Sequence, residues 1–234
     1  MNFSMWAVVP CKKLVIAKRR LAPVLSASER RCLVSAMLSD VLDVLTNLNA
    51  LSGVAVISND PDLTDLARSL GVRRCMKDND AGLSAAVTLA SSLLSNDGAK
   101  GILAVPGDLP LLAPGDVMRA LEAVAASPSV ALAPDQNNQG TNLLAMVPPG
   151  AIPYLFGGLS FQAHIAAAQT REIEPMVIQT EGLGLDIDTA KDLVIFARQG
   201  SPTRTFNYIA ETGIRDRLLI DSTNVPLKAR AGGR

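Results

Sequence analysis

Asp108 stands in the segment ILAVPGDLPLL, and Asp186 and Asp188 stand two residues apart in GLGLDIDTA. Both segments read as the ends of strands. An extended chain alternates its side chains, so Asp186 and Asp188 leave on one face. Three carboxylates brought together at neutral pH repel unless a divalent cation lies among them. A hard ion such as Mg²⁺ takes carboxylate oxygens, usually together with substrate phosphates. One reading is therefore a magnesium-dependent enzyme acting on phosphates. The other is that the aspartates are helix caps and loop residues, ordinary uses of this side chain. Thr189 and Asp192 resemble a helix start, which makes Asp188 a cap candidate. Spacing alone does not choose between the two.

The loop VPCKKLVIAKRRL carries Lys12, Lys13, Lys18, Arg19 and Arg20 directly after an apolar run. Such a cluster can neutralise a triphosphate and its leaving group, with arginine gripping oxygens in a fork. A solvated loop would also choose Lys and Arg, but its place after the first strand of an α/β pattern favours a site. The loop is neither a Walker motif nor a dinucleotide fingerprint, because no glycine lies between Val9 and Leu21.

Gly140 and Thr141 open a predicted strand, and Gly157 and Gly158 precede a helix predicted from Ser160. A helix N-terminus offers free N–H groups to a phosphate or carboxylate. For this segment alone, a glycine turn followed by a capped helix is the simpler account. His164, the chain's single histidine, lies one turn after Ser160, where both can face one side. Substrate lining or packing suits it better than a general-base role, since attack by a phosphate needs no strong base. Nothing suggests a histidine-based nucleophilic triad.

The elements that must position these residues alternate. Met5 to Val9 reads as a short buried strand. Ser26 and Glu29 mark a helix start, after which Leu33, Met37, Val41, Val44 and Leu48 form an amphipathic stripe. VAVIS is a strand, and Asp60-Pro61 begins another helix with a cap and a first-turn proline. GILAV, VALAP and LLAMV are further strands, with helical patterns near Ser84 to Leu94 and Asp116 to Ala125. This alternation predicts an α/β fold with helices on a largely parallel sheet. In such sheets ligands bind beyond the carboxyl ends of strands. The stretches beginning at Pro10 and at Pro106 belong at that edge. From about Gln199 the texture changes to an arginine-bearing segment ending in ARAGGR, where a final helix near Tyr208 to Leu219 and a frayed end are expected. The division is a domain over 1–198 and a C-terminal tail over 199–234.

The 234 residues suit one domain, and an apolar share of 48% suffices for a sizeable core. No apolar run approaches the ~18 residues of a membrane span, and the N-terminus lacks the charged start of a signal peptide. Cys11, Cys32 and Cys75 are an odd set without CxxC spacing, against a disulfide framework or zinc site. Scattered thiols point to a reducing compartment, so a soluble cytoplasmic protein is expected. Lys plus Arg and Asp plus Glu both total 22, and only 3% of residues are aromatic. Neither a basic excess nor stacking aromatics is there to bind nucleic acid.

Taken in order, VPCKKLVIAKRRLAPVLS, AGLSAA, VPGDLPLL, GTNLL, FGGLSFQAH and LDIDT resemble the 2-phospho-L-lactate guanylyltransferase family of deazaflavin coenzyme F-420 biosynthesis. That family includes phosphoenolpyruvate and 3-phospho-D-glycerate guanylyltransferases. The resemblance spans about Met5 to Ala197. It implies a single-domain nucleotidyltransferase fold of the glycosyltransferase-A kind, with a mostly parallel sheet. It also implies attack by the acid's phosphate on GTP, giving a guanosine-diphospho acid and pyrophosphate. Lys12, Lys18 and Arg20 match basic positions of the nucleotide loop. Gly82 to Ser84 match a G-L-N stretch near the nucleotide, and Pro10 and Pro106 join the nucleotide-binding set. Asp108, Asp186 and Asp188 match metal-binding acids for Mg²⁺, with Lys18 and Asp108 as catalytic residues. Thr141, Gly157 and Ser160 match positions that hold the phospho-acid. Two positions depart from the pattern: Ser84 stands where Asn is expected, and Gly158 where Pro is usual.

The partners implied are GTP and a small phospho-acid, with a transient contact to the next enzyme of the pathway and a homo-oligomer as further options. Neither nucleic acid nor membrane is expected. Another nucleotidyltransferase, acting on a molybdopterin or a sugar phosphate, is the same-class rival, and a non-catalytic partner subunit the different-class one. Fold analogy alone does not separate them.

Overall fold

In the computed structural model, which describes residues 4–78 and 80–223, a seven-stranded sheet forms the middle layer. Its strands are β1 (Met5–Pro10), β2 (Gly53–Ile57), β3 (Arg74–Met76), β4 (Gly101–Ala104), β5 (Ser129–Pro134), β6 (Thr141–Val147) and β7 (Met176–Val177). They lie in the order β3-β2-β1-β4-β6-β5-β7. β1 runs parallel to both β2 and β4, β2 to β3, and β5 to β7. β6 is antiparallel to β4 and β5. The largely parallel sheet expected from the alternation is thus present, with one reversed strand. The short edge strands β3 and β7 carry too few residues to leave a periodic signal.

Helices cover both faces. α1 (Ala27–Thr46) begins with the anticipated capping box, in which the Ser26 side chain accepts from Glu29 N–H while Ser26 N–H donates to the Glu29 carboxylate. α2 (Pro61–Ser69) is capped by Asp60, with Pro61 at its first position. Together with α4 (Pro114–Ala123), these bury Leu38, Val41, Leu63 and Val117 against one face of the sheet. α3 (Leu83–Asn96) and α5 (Ser160–Gln169) bury Val87, Ala90 and Phe161 on the other. Order along the sheet reverses at β1, whose neighbours β2 and β4 lead to opposite sides. That reversal leaves a crevice outside the carboxyl ends of β1 and β4, where α/β sheets bind ligands.

Past the sheet, a short α6 (Glu181–Gly184) leads into the Asp186 and Asp188 segment, then into α7 (Ala190–Gln199). The segment was expected to end a strand. It is extended at Leu185 but belongs to no strand of the sheet. Instead Ile187 N–H donates to the Asp108 carbonyl at 3.1 Å, and Leu185 and Ile187 are buried while the aspartates between and after them are not. The alternation inferred from the sequence survives without the sheet.

Beyond Gln199, where one helix was anticipated, there are two: α8 (Arg204–Glu211) and α9 (Ile214–Thr223). The expected frayed end lies outside the described residues. α8 is capped by Thr203, and Asp40 of α1 anchors its first turn, its carboxylate accepting from Arg204 N–H (2.8 Å), Thr205 N–H (2.9 Å) and the Thr205 hydroxyl (2.6 Å). Ile209, Ile214 and Leu218 close a third apolar cluster with Leu33 and Met37 of α1 and Phe196 of α7. Leu21 from the basic loop and Ile187 from the acidic segment belong to the same cluster.

Candidate active site

The chain leaving β1 is pinned before it reaches Lys18. Cys11 N–H donates to the Ile57 carbonyl, and Leu14 N–H donates to Asp60 Oδ2 at 2.8 Å. The other Asp60 oxygen is the cap of α2, so one carboxylate fixes loop and helix together. Leu14 and Leu21 are buried at either end of the loop. Between them Lys18 adopts a left-handed backbone, φ +52°. For a long side chain this costs about 1 kcal/mol or more. The turn aims the ammonium inward.

There Lys18 Nζ lies 2.5 Å from Asp108 Oδ2 and 2.5 Å from Asp188 Oδ1. The lysine side chain is 10% exposed, against 23% for Asp108 and 46% for Asp188. Burial works against the lysine's charge, but Asp108 and then Asp188 overcome it and hold the ammonium above its ordinary range. Asp188 is likewise opposed by burial, yet Lys18, Arg20 and Lys12 keep its carboxyl below the usual carboxylate range. Asp186 goes the other way. Burial and then Asp108 push it up to about 6, although the Asn142 amide donates to it. The basic loop and the acids, remote in sequence, are one electrostatic unit.

The acids are held from behind. Asn142 Nδ2 donates to the Leu183 carbonyl at 2.8 Å and to Asp186 Oδ1 at 3.2 Å. Asp192 accepts from Asp188 N–H, Thr189 N–H and the Thr189 hydroxyl. The cap of α7 is therefore Thr189, in a capping box with Asp192, and the Asp188 carboxylate is free for Lys18. Sequence reading did not single out Asn142 as a support for Asp186. An amide residue entering a strand that is apolar from Leu143 to Val147 was the available signal.

A cavity of about 430 Å³ opens here, lined by Pro10, Lys12, Lys18, Gly82, Pro106, Asp108 and Asp188 among others. Gly82 is the N-cap of α3 at φ +99°, a conformation other residues rarely adopt. Among the described residues no side-chain bond caps α3, so the cavity meets the N–H groups of its first turn. Arg20 and Ser84 are not in the lining. Arg20 is exposed within electrostatic reach of Asp188. Ser84 Oγ donates to the Phe156 carbonyl at 3.3 Å, tying α3 to the loop before α5.

Thr141, Gly157 and Ser160 gather around that second loop, outside the cavity lining. Ser160 N–H donates to the Gly157 carbonyl, and Phe161 N–H to the Gln139 carbonyl just before β6. Ser160 is the first helical residue and not the cap, which is Leu159 without a side-chain bond. The pairing of β5 with β6 steps from Ala133–Leu143 to Pro134–Thr141, leaving Asn142 as an extra residue. Such a bulge re-aims side chains. Here it sends Asn142 to Asp186 and Thr141 to His164, whose Nδ1 is 2.9 Å from the threonine hydroxyl.

Residues 5–223 match the family described as Guanylyl transferase CofC like. The chain belongs to this family. It is 37% identical over 197 residues to the phosphoenolpyruvate guanylyltransferase of Rubrobacter xylanophilus, covering 84% of this chain and 95% of that one. To the 2-phospho-L-lactate guanylyltransferase of Methanothermobacter thermautotrophicus it is 34% identical over 203 residues, covering 87% and 88%. A crystal structure of a putative nucleotide-diphospho-sugar transferase from Desulfovibrio desulfuricans superimposes with a TM-score of 0.78 at 17% identity, covering 92% and 98%. That likeness concerns the fold, which is of the nucleotidyltransferase kind anticipated. The CofC-like match takes in α8 and α9, past the point near Gln199 where the resemblance by motif stopped.

Whether this CofC-like site suits a divalent cation can be judged from its donors. Among the described residues no three His, Cys, Asp or Glu side chains converge as a ready-made cage. The Lys18 ammonium stands between two of the acids in place of a metal charge. Asp108 Oδ1 is nevertheless buried without any hydrogen-bond partner, a costly arrangement for a carboxylate oxygen. A hard cation would satisfy it, so the donor set fits Mg²⁺ chemically.

Proposed function

We propose that this protein transfers GMP from GTP to the phosphate of a three-carbon phospho-acid and releases pyrophosphate. The acids in question are 2-phospho-L-lactate, phosphoenolpyruvate and 3-phospho-D-glycerate, and the setting is deazaflavin coenzyme F-420 biosynthesis in the cytoplasm. The observation that carries this reading is the Lys18 ammonium, joined to Asp108 and Asp188 at the crevice between β1 and β4.

A phosphate oxygen of the acid attacks the α-phosphorus of GTP, the bond from that phosphorus to the α,β-bridging oxygen breaks, and pyrophosphate leaves with the electron pair. The nucleophile is already an anion, so no base is required, in keeping with a histidine that is fully buried. The protein's work is positioning and neutralisation of charge. Lys18 sits where it can stabilise charge building on the leaving pyrophosphate, with Lys12 and Arg20 adding positive potential around the mouth. The N–H groups at the start of α3 offer donors to the nucleotide. Asp108, Asp186 and Asp188 would hold Mg²⁺, which supplies Lewis acidity and a template for phosphate oxygens. Thr141, Gly157 and Ser160 are assigned to the phospho-acid.

Mass spectrometry of the product formed from GTP with all three acids present tests the proposal. A guanosine-diphospho acid and stoichiometric pyrophosphate are expected. No transfer to any of the three acids, with transfer to a sugar phosphate or a molybdopterin in a parallel reaction, would overturn it.

A further inference from the structure

The chain's single histidine lies wholly buried on α5, and its two ring nitrogens have partners of fixed kind on one side. Leu155 N–H lies 2.9 Å from His164 Nε2. A backbone N–H can only donate, so Nε2 carries no hydrogen. The neutral ring then holds its proton on Nδ1, the atom 2.9 Å from Thr141 Oγ1. The hydroxyl must accept that bond. Its own hydrogen is left to donate elsewhere, and no second bond of this hydroxyl is made among the described residues. Burial, which holds the imidazole down at about 4, keeps the ring neutral at physiological pH.

One further contact fixes the ring and is itself held in place. The Phe156 ring meets it edge-on with centroids 5.2 Å apart, and the Phe156 carbonyl is tied to Ser84 Oγ. Thr141 is the first residue of β6, which is antiparallel to β4. Its start therefore lies at the sheet edge where the loop carrying Asp108 leaves β4.

We propose that His164 is a positioning residue that makes the Thr141 hydroxyl an obligate hydrogen-bond donor for the anionic acid substrate. Water or another neutral ligand can use a hydroxyl in either sense, whereas a carboxylate or phosphate oxygen can only accept. Fixing the sense in advance selects for the anion and removes the need to reorient on binding. The inference rests on the reading that Thr141 contacts the phospho-acid.

Amide substitutions dissect the two nitrogens. In His164→Asn the amide reaches the position of Nδ1 and can still donate to Thr141. In His164→Gln it reaches the position of Nε2 and can still accept from Leu155, but the donor to Thr141 is lost. The KM for the phospho-acid should rise between about tenfold and a hundredfold in His164→Gln, the range for one hydrogen bond to a charged group. The KM for GTP should stay within about twofold. His164→Asn should recover most of the loss. Thr141→Val should reproduce it and Thr141→Ser restore it, which keeps the test decisive if the histidine variants fail to fold.

A ¹⁵N spectrum of the full-length parent reads the tautomer directly, because only one histidine is present. A proton on Nε2, or parental acid KM values in both His164→Gln and Thr141→Val, would overturn the inference and leave the transferase reading intact. A parent that transfers GMP to none of the three acids would remove both.

Discussion

Lys18 Nζ and Asp188 Oδ1 lie 2.5 Å apart although 170 residues separate them in the chain. Each side of this contact is aimed by a separate device. The left-handed turn at Lys18 directs the ammonium inward, and Asp192 fixes the backbone at Asp188. The lysine side chain is the more buried of the two, so its charge is the one that most needs a partner. Removing a partner from a buried pair costs more than the pair contributes to stability, and function then depends on what replaces the missing charge.

Lys18→Ala should lower GTP turnover by at least about a hundredfold, comparable to losing a donor aimed at transition-state charge. Lys13→Ala should stay within about threefold. Both lysines belong to the same basic loop, but Lys13 is exposed, whereas Lys18 reaches Asp108 and Asp188. Steady-state kinetics on the two variants decides the matter. Equal losses would mean that the loop acts through its bulk charge.

Asp108→Asn and Asp188→Asn keep the shape of the carboxyl and remove its charge. If these acids hold Mg²⁺, rates in both should fall steeply and the Mg²⁺ concentration giving half-maximal rate should rise. Rates titrated with Mg²⁺ at saturating GTP provide the readout. Parental rates and an unchanged Mg²⁺ dependence in both variants would rule out the metal assignment.

Asp186 trades stability against charge. Its folded carboxyl is pushed up to about 6 by burial and by Asp108, above the ordinary 3.8. In that window the folded state holds the proton more tightly than the unfolded chain does. Stability from this group is therefore full below about 4 and is lost as pH rises through about 6. Asp186→Asn should raise Tm at pH 7.5 by a few degrees while lowering activity. The gain should shrink toward zero as pH falls to about 4.5. Melting curves across that range check the sign, and a variant less stable at pH 7.5 would contradict it.

The parts of the site that follow period and edge rules were legible in the sequence. Pro10 and Pro106 end apolar runs, so the loops carrying Lys18 and Asp108 had to leave the same sheet edge, and they line one cavity. Ser26 with Glu29, and Asp60 with Pro61, start helices as their side chains dictate. What escaped depends on long-range contacts that no local pattern encodes. The Asp186 and Asp188 segment mimics a strand because its buried and half-exposed residues alternate, but it packs on the Asp108 backbone and outside the sheet. Thr141 and Asn142 diverge because of a bulge that depends on the pairing with β5. A capped helix was the simpler account of the Ser160 segment, and only the helix geometry shows that Leu159 holds the cap position.

The last prediction concerns the C-terminal helices, to which the motifs gave no role. Ile209, Ile214 and Leu218 are buried in one cluster with Leu21 and Ile187, so α8 and α9 share a core with the two segments that present Lys18 and Asp188. Each such side chain contributes about 1.5–3 kcal/mol by burial. Removing all of them takes away an amount comparable to the whole net stability of a domain, about 5–15 kcal/mol. Truncation after Gln199 should therefore yield protein without a cooperative thermal transition. The milder Ile209→Ala should cost about 2–5 kcal/mol and leave a folded enzyme. Because Ile209 shares one apolar cluster with Leu21 of the Lys18 loop and Ile187 of the acidic segment, that variant should also lose kcat at temperatures well below its Tm, more than Leu94→Ala, an equally buried site on α3. Equal activity losses in the two variants at matched distance below Tm would show that the tail contributes stability alone. A truncated chain that folds and transfers GMP normally would show that it contributes neither.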